Sequence, residues 1–181
     1  MSKIIDKVFV PDATQRVLTF FCQNPSASLH DSEVGRRIKN LSLASVNNAL
    51  RKLALAGLLE RKREGRQTYN KLNSKHSLVR YYKSFLNILH LYPVLEEFKK
   101  ETEKIILFGS YFEGTDTEES DIDVFLISNS APRKIQRIIA KFKLSDKLKP
   151  VIKTSAQYLK FKKEEPMFFE EISRGIVYYE R

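Results

Sequence analysis

The segment that most restricts what this chain can become is Lys104-Ile-Ile-Leu-Phe108, followed at once by Gly109-Ser110, then ten residues, then Asp121-Ile122-Asp123 and Val124-Phe-Leu-Ile127. Two apolar runs of strand length bracket a small-residue turn and a pair of acids. Successive side chains on a strand point to opposite faces, so Asp121 and Asp123 share one face and Ile122 takes the other. Carboxylates spaced in this way, about 7 Å apart along a strand, suit a hard divalent cation such as Mg²⁺, which prefers oxygen ligands. Gly109 lets the backbone approach a phosphate where a Cβ would obstruct it. Ser110 opens a short helix whose N–H groups and hydroxyl can face a triphosphate. Gly114 gives a second bend, and Glu113, Asp116, Glu118 and Glu119 read as a solvated loop.

After Ile127 the pattern predicts a helix over 132–142, a strand over 148–153, helices over 156–163 and 166–174, and a terminal strand over 176–179. Lys160, Lys162 and Lys163 read as an exposed helix face, and Tyr178 and Tyr179 as strand packing. The run GSYFEGTDTEESDID resembles the signature of the DNA polymerase β-like nucleotidyltransferase superfamily, and the small size of the domain is similar to that of its minimal branch. That branch includes antitoxins that adenylylate HEPN-domain toxins. The resemblance implies two Mg²⁺ ions held by three carboxylates, with ATP or another nucleoside triphosphate as substrate. Carried over by position, Asp121 and Asp123 are the catalytic metal ligands, while Gly109 and Ser110 hold the phosphates. The third carboxylate should come from the later strand. That strand reads Lys147-Leu-Lys-Pro-Val-Ile-Lys153 and contains no acid, although Asp146 precedes it.

Charge divides the 181 residues unevenly. Residues 1–75 carry fourteen Lys/Arg against six Asp/Glu, residues 76–103 four against four, and residues 104–181 fourteen against twelve, for a net +10 overall. A strongly basic first part argues for a polyanion partner there. Within it, Asp12 caps a helix to Gln23, Asp31 and Ser32 open a short helix to Ile38, and Ser42 caps a helix over 43–56 that Gly57 stops. In that third helix Val46, Leu50 and Leu53 face the core. Strands over 58–64 and 66–72 follow, with Gly65 at the tip. Three helices and a basic hairpin in this order make a winged helix-turn-helix. The run SVNNALRKLALAGLLERKREGRQTYNKL resembles the recognition helix and wing of ArsR/MarR-type regulators, which implies binding to double-stranded DNA. Ser45, Asn47, Asn48, Arg51 and Lys52 lie off the apolar stripe, with donors suited to base edges and phosphates. Arg61, Lys62, Arg63 and Arg66 suit phosphate contacts. Six such contacts would give a log–log salt slope near about −5.

Between the two, Leu78, Tyr81, Tyr82, Phe85, Leu86 and Leu89 recur with helical period, and Pro93 separates a second helix running to about Glu101. The family resemblance implies a homodimer through such flanking helices. The expected organisation is therefore a two-domain α/β (α+β) chain: a winged helix-turn-helix at 1–75, connecting helices at 76–102, and a minimal nucleotidyltransferase with a mixed sheet at 103–181. No run approaches the roughly 20 apolar residues of a membrane span, and the first six residues lack a signal-peptide core. Cys22 reads as a buried small hydrophobe, and the histidines His30, His76 and His90 lack metal-ligand spacing. Together these imply a reducing cytoplasm. Two functions compete. One is Mg²⁺-dependent transfer of AMP from ATP to a protein such as a HEPN toxin. The other is a DNA-binding regulator whose second domain only binds nucleotide or mediates assembly. A polymerase acting on nucleic-acid ends fits less well, because nothing resembles template- or primer-handling subdomains.

Overall fold

The computed structural model describes residues 10–181, so the expectation drawn from the first six residues lies outside the described residues. The architecture is mixed α+β with two sheets, and the chain divides into two compact units at Leu86/Asn87.

The N-terminal unit begins with α1, Ala13–Gln23. Asp12 caps it through a capping box, in which Asp12 accepts from the Gln15 N–H at 2.7 Å and Gln15 Oε1 accepts from the Asp12 N–H at 3.0 Å. A short strand β1, Ser28–His30, leads into α2, Asp31–Arg37. Three residues are too few to show periodicity, so β1 leaves no signal in the sequence. The cap of α2 is the His30 ring, which accepts from the Glu33 N–H, rather than Asp31 or Ser32. Helix α3 spans Leu43–Leu55, with Ser42 accepting from the Ser45 N–H at 3.1 Å. Strands β2, Leu59–Glu64, and β3, Gln67–Leu72, pair antiparallel, and β1 adds to β3, giving the order β1-β3-β2. Val17, Phe21, Cys22, Val34, Val46, Leu50 and Leu53 bury together.

The stretch expected as two helices is one, α4, Ser77–Phe98, with Pro93 inside it. Proline removes one intrahelical hydrogen bond and crowds the preceding turn. Here Leu91, Val94, Leu95 and Phe98 are each at most 1 % exposed, so burial on both sides of Pro93 keeps the helix going. The first part of α4 supplies Val79 to the N-terminal core, and Leu91 onward belongs to the C-terminal core.

In the C-terminal unit, β4 (Lys104–Leu107), a one-turn helix α5 (Ser110–Glu113) and β5 (Ile122–Ile127) come first. Helix α6 (Pro132–Ile139), strand β6 (Leu148–Lys153), helices α7 (Ser155–Glu164) and α8 (Pro166–Ser173) and strand β7 (Ile176–Glu180) complete it. The sheet order is β6-β5-β4-β7, with β4 antiparallel to β5 and β7 and β5 parallel to β6. Strand parity divides β5 between two cores. Ile122, Val124 and Leu126 pack with α4 and α6, whereas Phe125 and Ile127 pack with Phe161 of α7 and Ile172 of α8. Asp123 has the parity of Phe125, which assigns it to the α7–α8 side. Gly175 fixes the end of α8 on β4, since a Cβ there would stand 2.6 Å from the Leu107 carbonyl oxygen. Among the described residues no helix is long and apolar enough to cross a membrane.

Candidate functional site

The antiparallel pairing of β4 and β5 brings the end of one strand beside the start of the other, with Leu107 opposite Val124. The Gly109-Ser110 turn and the two acids therefore meet, although ten residues separate them in sequence. Gly109 adopts φ 76°, ψ −177°, a conformation open essentially to glycine alone. A Cβ at Gly109 would stand 2.6 Å from Asp123 Oδ2 and 3.4 Å from Asp123 Cβ, so the backbone of the turn lies directly against the carboxylate. Ser110 is the first residue of α5. Asp123 is half-buried in β5, and Asp121 is exposed just before the strand.

Burial raises the Asp123 carboxyl above its ordinary value, and the negative charges of Asp121 and Glu171 add to the shift. Glu171, on α8, went unnoticed in the sequence. Only the pairing of β7 with β4 carries that helix over the turn, and a pairing partner cannot be read from a single strand. On the other side of β5, Lys149 stands in register with Asp123. Its ammonium donates to the Asp146 carbonyl oxygen at 3.0 Å, and that of Lys147 donates to the Glu118 carbonyl oxygen. Asp146 is exposed and accepts from the Ser145 hydroxyl at 3.2 Å. Among the described residues no group of three or more His, Cys, Asp or Glu side chains is arranged to hold a metal ion.

The loop between turn and acids is anchored rather than free. Asp116 is 8 % exposed, contrary to its reading as a solvated residue, because Asn87 donates to its Oδ1 at 2.9 Å. The same amide group also donates to the Tyr111 carbonyl oxygen at 2.7 Å. Burial and the Asp116 charge push the Tyr111 hydroxyl up to about 12. Glu113, Glu118 and Glu119 are exposed as expected.

Residues 91–181, half of the chain, match the family described as polymerase beta, nucleotidyltransferase. The chain belongs to this nucleotidyltransferase family. No curated protein matches it.

The N-terminal unit, outside the matched residues, carries a second set of candidate residues. Asn48, Arg51, Lys52, Lys62, Arg63 and Arg66 are exposed. Lys62 pairs with Glu64 at 3.0 Å with both side chains largely in solvent, and Arg63 Nε donates to the Gly65 carbonyl oxygen at 3.3 Å. Three others are differently placed. Ser45 lies in the cap of α3, its hydroxyl 2.9 Å from that of Ser42. Asn47 is half-buried, and its Oδ1 is enclosed without a hydrogen-bond partner among the described residues. Arg61 is held by Asp31 in a fork, with Nη2 3.0 and 2.7 Å from the two carboxylate oxygens. Asn70, fully buried on β3, donates to the same Asp31 at 2.8 Å and to the Leu29 carbonyl oxygen at 3.1 Å. Arg61 thus ties the hairpin to the start of α2, and its charge is already neutralised. A basic run gives no hint which of its members will find an internal acid.

Proposed function

We propose that the C-terminal unit transfers a nucleotide, AMP from ATP, to a hydroxyl of a protein partner of the HEPN toxin type, the hydroxyl oxygen losing its proton and bonding the α-phosphorus as pyrophosphate leaves, and that the N-terminal unit is a winged helix-turn-helix that binds double-stranded DNA. The observation that carries the first part is the contact of Gly109 with Asp123: the turn suited to phosphate and the acid suited to a cation share one spot. The donor set, two carboxylates and a glycine cradle that a Cβ would fill, fits Mg²⁺ bound together with a triphosphate. Asp121 and Asp123 would hold the ion, and Gly109 and Ser110 would bind the phosphate oxygens. The ion, when bound, supplies charge neutralisation at the phosphorus under attack. Gly109 keeps the phosphates close, and the half-buried wall around Asp123 limits water there.

A second reading rests on a specific observation. The position in register with Asp123 on β6 is Lys149, where a further carboxylate would be expected. On that reading the domain binds a nucleotide without turning it over, and the chain is a transcriptional regulator of ArsR/MarR type. DNA binding draws support from the exposed cations Arg51 and Lys52 on α3 and Lys62, Arg63 and Arg66 on the hairpin. A homodimer draws support from the exposed Leu78 and Tyr81, spaced three residues apart on α4. A reducing cytoplasm fits the lone buried Cys22.

One experiment separates the two readings. The full chain is incubated with radiolabelled ATP, Mg²⁺ and its co-purifying partners, beside the double variant Asp121→Asn/Asp123→Asn. Label on a partner that the double variant cannot transfer supports the enzyme. No transfer, with salt-sensitive DNA binding retained, supports the regulator.

A further inference from the structure

Gly109 also lines a cleft of about 500 Å³. Small-molecule sites commonly enclose about 300–1,000 Å³. Leu107, Phe108 and Phe112 form one wall, and Met167 and Phe168 from α8 form the other. The Phe108 and Phe168 rings meet edge to face at 5.8 Å, and Gly175 clamps the far end of α8 onto β4, so the two walls are joined at both ends. Glu113, Glu170 and Glu171 reach the cleft with a single cation, Arg174, which pairs with Glu170. Glu113 and Glu171 have no ion-pair partner among the described residues. Gly109 belongs both to this lining and to the contact with Asp123.

These features constrain the occupant. Glu113 and Glu171 place negative charge inside the cleft, which disfavours phosphate there, so a triphosphate would keep its phosphates at the Gly109 rim, where a bound cation offsets the acids. Apolar and aromatic walls suit a flat ring. Carboxylates only accept hydrogen bonds, so they favour a ring edge that donates. A nucleotide with its phosphates at Gly109 and Ser110 has such a ring at its other end.

We infer that the cleft is the nucleobase subsite, taking a base with an exocyclic amino group and disfavouring uracil, with Glu113 and Glu171 accepting from that amino group. The inference rests on the nucleotidyltransferase reading above and deepens it. Guanine offers two adjacent donors that match the two oxygens of one carboxylate, adenine and cytosine each offer an amino group, and uracil offers only a ring N3–H flanked by two carbonyl oxygens that the acids repel.

The test is equilibrium binding of the four α,β-methylene nucleoside triphosphates to the full chain with Mg²⁺, so that no chemistry intervenes. The wild-type chain should bind the uridine analogue about tenfold or more weakly than the guanosine analogue. Glu171→Gln and Glu113→Gln should narrow that ratio by strengthening uridine binding, since an amide can donate to a carbonyl. A gain for one base is not something that loss of folding produces. Equal binding of all four, or a ratio unmoved in both variants, overturns the subsite. If binding is equal for all four yet disappears in Asp123→Asn, the nucleotidyltransferase reading stands without the subsite. If no analogue binds at all, both fall. Unmoved ratios with lost transfer to a partner would assign the cleft to the acceptor and likewise overturn the base assignment.

Discussion

The two units spend their charged residues in opposite ways. In the N-terminal unit, Asp31 neutralises Arg61 and accepts from Asn70, while Arg51, Lys52, Lys62, Arg63 and Arg66 are exposed on α3 and the hairpin. In the C-terminal unit, Lys plus Arg and Asp plus Glu are equal in number, yet burial raises the Asp123 carboxyl and the charges of Asp121 and Glu171 raise it further. Net charge therefore ranks the units in the wrong order for chemistry. The strongly basic unit uses one of its few acids to build structure. The near-neutral unit gathers acids beside the Gly109 turn, where a Cβ would strike Asp123.

The largest effect that would break this contrast is at Gly109. Gly109→Ala adds a methyl 2.6 Å from Asp123 Oδ2 and forces alanine into a glycine conformation. The strain costs about 1–3 kcal/mol. Displacement of the carboxylate should lower nucleotide transfer about 100-fold or more, the usual scale for misplacing a group at the reacting centre. Transfer kinetics beside a denaturation curve check this. A variant that transfers normally would mean the turn and the acid do not work together.

Next in size is Asp31→Ala. It leaves Arg61 half-buried without its carboxylate and strips Asn70 of one acceptor, which should destabilise the N-terminal unit by about 3 kcal/mol. Hydrogen exchange of the β2 and β3 amides reads this directly, and the C-terminal amides should be unmoved. Uniform loss of protection in both units would contradict the separate roles assigned to their acids.

Smaller again is the salt response. With Arg61 committed to Asp31, five cations remain for phosphate: Arg51, Lys52, Lys62, Arg63 and Arg66. The log–log slope of DNA affinity against salt should be about −4.5, and Arg66→Ala should reduce its magnitude by about 0.9. Arg61→Ala should change stability more than slope. A full unit of slope lost in Arg61→Ala would show that the arginine leaves Asp31 to reach DNA.

These cases also show what the sequence can reveal. The helices of the N-terminal unit carry caps and stripes within a few residues, and Ser42 with Val46, Leu50 and Leu53 announces α3 from local sequence alone. The Gly109 and Asp123 pair was legible because motif spacing encodes a strand, a turn and a returning strand. Pro93 was misread because local chemistry says stop while burial of Leu91 and Val94 says continue. Glu171, Asp116 and the Asp31–Arg61 fork were invisible for a shared reason. Each depends on a partner 29 or more positions away, which only tertiary packing supplies.

The smallest predicted effect tests whether burial alone, without a charged partner, leaves a mark in the C-terminal unit. His90, on the second part of α4, lies 3.2 Å by its Nδ1 from the Tyr111 hydroxyl, and burial lowers its pKa below the ordinary 6.5. The folded chain therefore resists the proton that the unfolded chain accepts. Below about pH 6.5 the unfolded state binds more protons, so stability falls as pH drops through that value and is fully present above it. Thermal melts at pH 7.5 and pH 5.5, well above the range where ordinary carboxylates titrate, should show a modest loss at the lower pH. His90→Gln has no group to protonate and should flatten that dependence, whatever it does to the absolute melting temperature. A slope unchanged in His90→Gln would place the sensitivity elsewhere and remove burial of this ring from the account.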